Sequence, residues 1–312
     1  MTLRQPTVGT PDKTAPAQAE GISVIVPAFN EENGIGPVLE KLRQIMAGSR
    51  LEHEILVVDD GSSDGTAAAI RQHDVRFVQH KVNKGYGAAL KTGIRNARYP
   101  IIAITDADGT YPNERLPELV RVVIQKDADM AVGSRTGPNV SIPLIRKPAK
   151  WFINRLAETA AGQRIPDLNS GLRVFRRSMA LRMFNLLPSG FSFTTTITLA
   201  MLTNGYSVTY VPIDYHERTG RSKIKPIRDT ISFMQLVLRM ALYFAPLKIF
   251  IPLSLLLLLL AVVTGLFTLL IFGKLADVLT LVLALSAFQT GALGLLAELI
   301  NKRMPSAYRE DE

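Results

Sequence analysis

Two acidic clusters are the residues whose types and spacing first suggest chemistry. Asp59-Asp60 closes a β-branched run at 54–58 and leads into Gly61-Ser62-Ser63-Asp64-Gly65-Thr66. A carboxylate at a strand end can accept hydrogen bonds from a ribose hydroxyl or a base N–H. The glycines let the chain turn sharply into the next helix. Taken alone, this turn also reads as a loop whose aspartate caps a helix. The second cluster, Asp106-Ala107-Asp108, closes the apolar run at 101–105. Two carboxylates one residue apart raise each other's pKa unless a cation lies between them. A hard divalent ion, Mg²⁺ or Mn²⁺, answers this with oxygen ligands and keeps positions open for a diphosphate. It also neutralises charge that develops on a leaving nucleotide. A lone Asp-x-Asp is common on protein surfaces; the strand-end setting and the acidic motif upstream single this one out.

The elements that must position these residues follow from hydrophobic patterning. Short β-branched runs at 22–26, 54–58, 75–79, 101–105 and 128–132 read as strands. Amphipathic stretches at about 34–47, 66–72, 85–97 and 113–126 lie between them and read as helices. This alternation predicts an α/β fold with a doubly wound, mostly parallel sheet. Ligands of such sheets bind at the carboxyl ends of the strands, where both acidic clusters fall. No internal repeat is evident.

The chain has 312 residues, room for one α/β domain and an anchor. It has no cysteine, which excludes disulfides and thiolate metal sites. Its formal charge of +9 calls for a polyanionic partner: nucleic acid, anionic lipid or sugar-nucleotide phosphates. Mean hydropathy is nevertheless +0.16. The apolar residues gather at 249–272 and 276–296, which as helices would reach about 36 and 31 Å. Gly273-Lys274 makes a tight break between them, so the pair predicts a transmembrane hairpin. A pair of buried core helices is the alternative, but 255–260 has no polar face. Arg218, Arg221, Lys223, Lys225, Arg228 and Lys248 precede the hairpin, and Lys302, Arg303 and Arg309 follow it. Only Lys274 lies in the turn, so the positive-inside rule predicts cytosolic flanks, with the large domain and both termini in the cytosol. Residues 1–20 lack the apolar core of a signal peptide and read as a disordered tail. At 227–244, Arg228, Ser232, Gln235 and Arg239 form a narrow polar stripe. That suits a helix in the membrane interface; the other reading is a helix packed on the large domain.

Four ordered motifs carry a resemblance: Val26-Pro27-Ala28-Phe29-Asn30-Glu31, Val57-Val58-Asp59-Asp60-Gly61-Ser62, Asn83-Lys84-Gly85 and Asp106-Ala107-Asp108. In order and spacing they resemble the family 2 glycosyltransferases with the GT-A fold. Three later segments narrow it: Gly133-Ser134-Arg135, Asp167 to Arg173, and Arg218-Thr219-Gly220-Arg221-Ser222-Lys223. With these, residues 22–228 and the hairpin resemble the polyprenyl-phosphate hexosyltransferases, the group of dolichyl-phosphate mannosyltransferase and bacterial undecaprenyl-phosphate glucosyltransferase. The resemblance implies a GT-A catalytic domain over 21–224, after the tail. A juxtamembrane helix at 225–247, the hairpin at 248–300 and a cytosolic tail at 301–312 follow, in a bacterial or archaeal cell membrane. It implies that Pro27, Phe29, Glu31 and Asp59 line the base and ribose pocket, with Asp60 nearby. Asp106 and Asp108 would hold Mg²⁺ or Mn²⁺ under the diphosphate, Asp108 being catalytic. Arg218 and Lys223 would close over the phosphates on a mobile loop. Arg135 and Arg146 would receive the acceptor's phosphate. Relatives often carry Gln where this chain has Thr110, which leaves the third metal ligand open. Some carry Ser at Lys150, whose ammonium adds acceptor-phosphate affinity or lines the membrane surface.

The implied reaction moves a hexose from GDP-mannose or UDP-glucose to a dolichyl or undecaprenyl phosphate, with inversion. A phosphate monoester is largely dianionic at neutral pH, so it needs guanidinium groups to position it and no general base. The stretch 135–182 is rich in arginine, as phosphate capture or a basic face over anionic lipid would require. Ser170 and Asn169 read either as sugar or acceptor contacts or as a local turn. Lys84 reads either as a donor contact or as a helix cap. The four histidines are scattered without metal spacing, and Trp151 reads as a packing or interface anchor. Processive polysaccharide synthases carry a Gln-x-x-Arg-Trp motif that this chain lacks. Other readings are a different lipid or glycan acceptor and a non-catalytic membrane scaffold, the latter opposed by the intact Asp59, Asp106, Asp108 and Lys223. The basic charge comes without a stacking-aromatic platform, which argues against nucleic acid. The expected partners are the nucleotide-sugar donor, the polyprenyl-phosphate acceptor, membrane lipids and, through the hairpin, a homo-oligomer.

Overall fold

A computed structural model describes residues 21–136, 155, 157–159, 161–190, 192–215, 235, 238, 242, 245–273 and 278–303, the last three by backbone alone. Arg146, Lys150, Trp151, Arg218 and Lys223 lie outside the described residues, as do the tail at 1–20 and nearly all of the helix expected at 225–247.

The chain runs β1 (Ile22–Ala28), α1 (Ile35–Gly48), β2 (His53–Asp59), α2 (Thr66–Ile70), β3 (Arg76–Gln79), α3 (Tyr86–Asn96) and β4 (Ile101–Ile104). A 3₁₀ turn (Asn113–Arg115), α4 (Leu116–Gln125) and β5 (Met130–Ser134) follow. Then come β6 (Arg173–Arg176), α5 (Arg177–Arg182), α6 (Phe193–Thr203) and β7 (Val208–Pro212). The strands form one sheet in the order β3-β2-β1-β4-β6-β5-β7. All neighbours are parallel except β6, which runs antiparallel to both β4 and β5. The five expected strands and four expected helices are present within a few residues. β6, β7, α5 and α6 are elements that patterning does not announce.

Every residue of β1 is buried, so both faces of the strand are covered, as at the centre of a doubly wound sheet. Alternation still sorts its side chains. Val24 and Val26 join Ile35, Leu39 and Leu42 of α1 and Leu119 and Val123 of α4 on one face. Ile25 joins Leu90 and Ile94 of α3 and Phe193 and Ile197 of α6 on the other. The apolar positions of α1 (Ile35, Val38, Leu39, Leu42, Met46) recur at the three- and four-residue spacing of one helical stripe.

Two further helices, α7 (Leu247–Phe272) and α8 (Val278–Arg303), are long and apolar enough to cross a membrane. They pack on each other, with Ser254 Oγ donating to the Ala287 carbonyl at 2.7 Å. Their outward leucines and valines are open, Leu270 at 84% exposure. A soluble helix pair would hide such a surface.

Candidate active site

A cavity of about 400 Å³ opens at the carboxyl ends of β1, β2 and β4. Pro27, Phe29 and Glu31 line it from the end of β1, Asp60 from the end of β2, and Asp106 and Asp108 from the end of β4. Four of its lining residues are thus acidic, and no lysine or arginine is among the described ones. A larger hollow, about 650 Å³, lies around His53, Glu54, Arg76 and Arg98, at the starts of the strands. It touches none of the expected site residues and has no strand ends to supply ligands, so the smaller cavity is the candidate site.

Loop contacts hold the first two motifs together. The Asn30 amide donates to Ser62 Oγ at 2.9 Å, and the Glu31 amide to Thr66 Oγ1 at 2.8 Å. Asp59 is fully buried: Ser62 N and Oγ donate to its Oδ1, and Gln79 Nε2 donates to its Oδ2 at 2.9 Å. Expected in the base and ribose pocket, it stands behind the wall and fixes the loop. Asp60 does face the cavity. It accepts the Lys84 amide at 3.0 Å and the Gly85 amide at 2.7 Å, and pairs with His80 Nδ1 at 2.7 Å. The other His80 ring nitrogen lies 2.9 Å from Thr92 Oγ1. Asp60 therefore ties the 83–85 loop to the sheet. Gly85 has φ +101°, and a Cβ there would fall 2.6 Å from the Ser189 carbonyl oxygen. Lys84 is exposed and outside the cavity lining, and its backbone amide is what meets Asp60.

The Asp-x-Asp pair is held from both sides. Tyr86 Oη donates to Asp106 Oδ1 at 3.0 Å. Thr110 donates to Asp108 Oδ1 twice, from its amide at 3.1 Å and its hydroxyl at 2.7 Å. Thr110 thereby orients Asp108 and is directed at that carboxylate. Burial first, and then the Asp106 charge, push the Tyr86 phenol well above its ordinary pKa, so it stays protonated.

Behind this pair lies a second polar layer. Arg135 grips Asp167 with Nε at 2.8 Å and Nη2 at 2.9 Å, while its own amide donates to Asp167 at 2.9 Å. The guanidinium also sits 5.3 Å from the centre of the Tyr215 ring. Burial alone would raise the Asp167 carboxyl's pKa, but the hydrogen bonds and charge of Arg135 outweigh it and hold the carboxyl below its ordinary value. Ser170, expected at the acceptor's phosphate, is fully buried and donates to the Gly133 carbonyl of β5 at 2.5 Å. Arg173, also fully buried, donates to the carbonyls of Ser170 and Thr194 and to Thr198 Oγ1. Patterning did not single out Tyr86, His80, Asp167 or Arg173 as parts of the site. The Asp167–Arg173 segment entered only through the resemblance.

Residues 23–184 match Glycosyl transferase family 2. The chain belongs to that family. Residues 245–302 of this glycosyltransferase match the GtrB C-terminal hairpin, the segment of α7 and α8. Dolichyl-phosphate hexose transferase of Haloferax volcanii is 31% identical over 66% of this chain and 88% of its own length. Polyprenol monophosphomannose synthase of Mycolicibacterium smegmatis is 32% identical over 64% of this chain and 80% of its own. Dodecaprenyl-phosphate galacturonate synthase of Rhizobium johnstonii is 31% identical over 57% of this chain, a match spanning about half (54%) of that relative. Among solved structures, glucosyl-3-phosphoglycerate synthase of Mycobacterium tuberculosis with uridine diphosphate superposes with a TM-score of 0.56 at 19% identity. That match covers 72% of this chain and 79% of the other, and shows the shared fold.

Proposed function

We propose that this glycosyltransferase moves a hexose from a nucleotide-diphosphate sugar to a polyprenyl phosphate at the cytosolic membrane face, with inversion. The observation that carries the reading is the acidic cavity at the strand ends: a diphosphate enters a place lined by Glu31, Asp60, Asp106 and Asp108 only with a cation. Asp106 and Asp108 fit Mg²⁺ or Mn²⁺. Both are oxygen donors on one cavity, and among the described residues no three acidic or histidine side chains converge to hold an ion alone. Two carboxylates completed by diphosphate oxygens and water is how Mg²⁺ is commonly held. Such an ion supplies charge neutralisation for the departing nucleoside diphosphate. The names of the relatives, each acting on a polyprenyl or dolichyl phosphate, support the acceptor class.

The protein's own residues then have these roles. Pro27, Phe29 and Glu31 form the nucleoside wall, with Asp59 and Asp60 bracing it. Arg218 and Lys223 close on the diphosphate. The acceptor phosphate, already dianionic, attacks the anomeric carbon directly, so no side chain takes its proton. Arg135, Arg146 and Lys150 receive it; Arg135 is fixed by Asp167 through Nε and Nη2, which leaves the Nη1 edge outside that pair. The basic residues flanking α7 and α8 support the cytosolic orientation.

The test is nucleotide release by the full-length protein in detergent, across GDP-mannose, UDP-glucose and related donors. Release is expected only with polyprenyl phosphate and Mg²⁺ or Mn²⁺ together. Transfer without metal, or to a free sugar, would refute the reading.

A further inference from the structure

We propose that Tyr86 is a positioning residue for Asp106: its phenol fixes one carboxylate oxygen so that the side chain presents a single, ordered face to a divalent ion. This deepens the metal-dependent reading above and rests on it.

Tyr86 is the first residue of α3, directly after Gly85, whose amide Asp60 anchors. Its ring packs against the core face containing Ile25, Leu90 and Ile104, so its position is set by the sheet. From there Oη reaches Asp106 Oδ1 at 3.0 Å, and both residues line the same cavity. Gly171 closes the other side of the carboxylate. A Cβ at that position would stand 2.8 Å from Asp106 Oδ2, so only glycine lets the carboxylate lie there. Gly171 is itself held, its amide donating to the Tyr111 hydroxyl at 2.7 Å. Buried Arg173, one strand over and paired in register with Ile104, fixes the Ser170 carbonyl just before it. Asp106 thus sits in a collar of Tyr86 and Gly171 backed by Tyr111 and Arg173. Tyr86 contributes a side-chain hydrogen bond to the carboxylate itself.

A hydrogen bond to a charged group is among the stronger kinds, and its loss is expected to weaken ion binding by on the order of ten-fold. Tyr86→Phe removes the hydroxyl and keeps the ring. Mn²⁺ uptake by the full-length protein in detergent is followed by the electron paramagnetic resonance of free Mn²⁺, with UDP and, separately, GDP present. The expected result is wild-type uptake and a half-saturation about ten-fold higher in Y86F. Wild-type uptake with an unchanged half-saturation in Y86F overturns the positioning role and leaves the metal reading standing. A wild-type protein that takes up no Mn²⁺ with either nucleotide overturns both. A second measurement separates positioning from general destabilisation. Metal-free melting temperatures of Y86F, D106A and the double variant should be non-additive, since each single change removes the same hydrogen bond. Additive shifts overturn the proposal.

Discussion

Asp167→Asn tests whether the layer behind the cavity is a structural clamp. Asp167 is 6% exposed and accepts the Arg135 amide, Nε and Nη2 together with the Asn169 amide. The substitution keeps the shape but removes the charge that Arg135, buried to 24% side-chain exposure, is paired with. Breaking a buried ion pair from one side costs about 3–5 kcal/mol, and the partial exposure of Arg135 points to about 3. In a domain of this size, about 3 kcal/mol corresponds to a melting temperature lower by roughly 6–12 °C. Thermal melting of the full-length protein in detergent at pH 7 reads this directly. The pH dependence gives an independent sign. Because the folded carboxyl lies below its ordinary value of 3.8, its contribution is complete above that value. It is lost as pH falls through the folded pKa. Wild-type stability should therefore fall more steeply than that of Asp167→Asn below about pH 4. A melting temperature within about 2 °C of wild type, together with equal acid slopes, would show that the pair contributes nothing net.

Two other substitutions probe the cavity wall. Thr110→Val removes the 2.7 Å hydroxyl contact that orients Asp108; turnover should fall about ten-fold with little change in melting temperature, as measured by nucleotide release. Gly85→Ala places a methyl 2.6 Å from the Ser189 oxygen at a positive φ, and should cost about 2 kcal/mol or more while raising the donor KM.

Much of this arrangement was legible in the sequence because it depends on local rules. β-Branched runs become strands, strand ends in a parallel sheet gather ligands, and Asp60, Asp106 and Asp108 stand at such ends. Asp59 shows where such rules stop. Its position beside Asp60 is plain, but alternation turns neighbouring side chains opposite ways, and here Asp59 goes into the loop. β6 was hidden because it is four residues long and begins with Arg173, a charge that patterning would place on the surface. Its burial depends on carbonyls from 170 and 194, partners that only the folded chain brings together. α6 was hidden for a different reason: it is covered all round, threonines included, and so shows no stripe.

The acidic lining of the cavity also bears on the order of events. Four carboxylates and, among the described lining residues, no basic side chain form a gate of one sign. A bare nucleoside diphosphate meets repulsion there; the same molecule carrying its ion does not. If Asp106 and Asp108 hold a divalent ion, ion and donor would be admitted as a unit, and the ion would offset the charge of the departing nucleotide. On that reading, availability of the metal would govern how fast the cleft clears as well as how fast it fills.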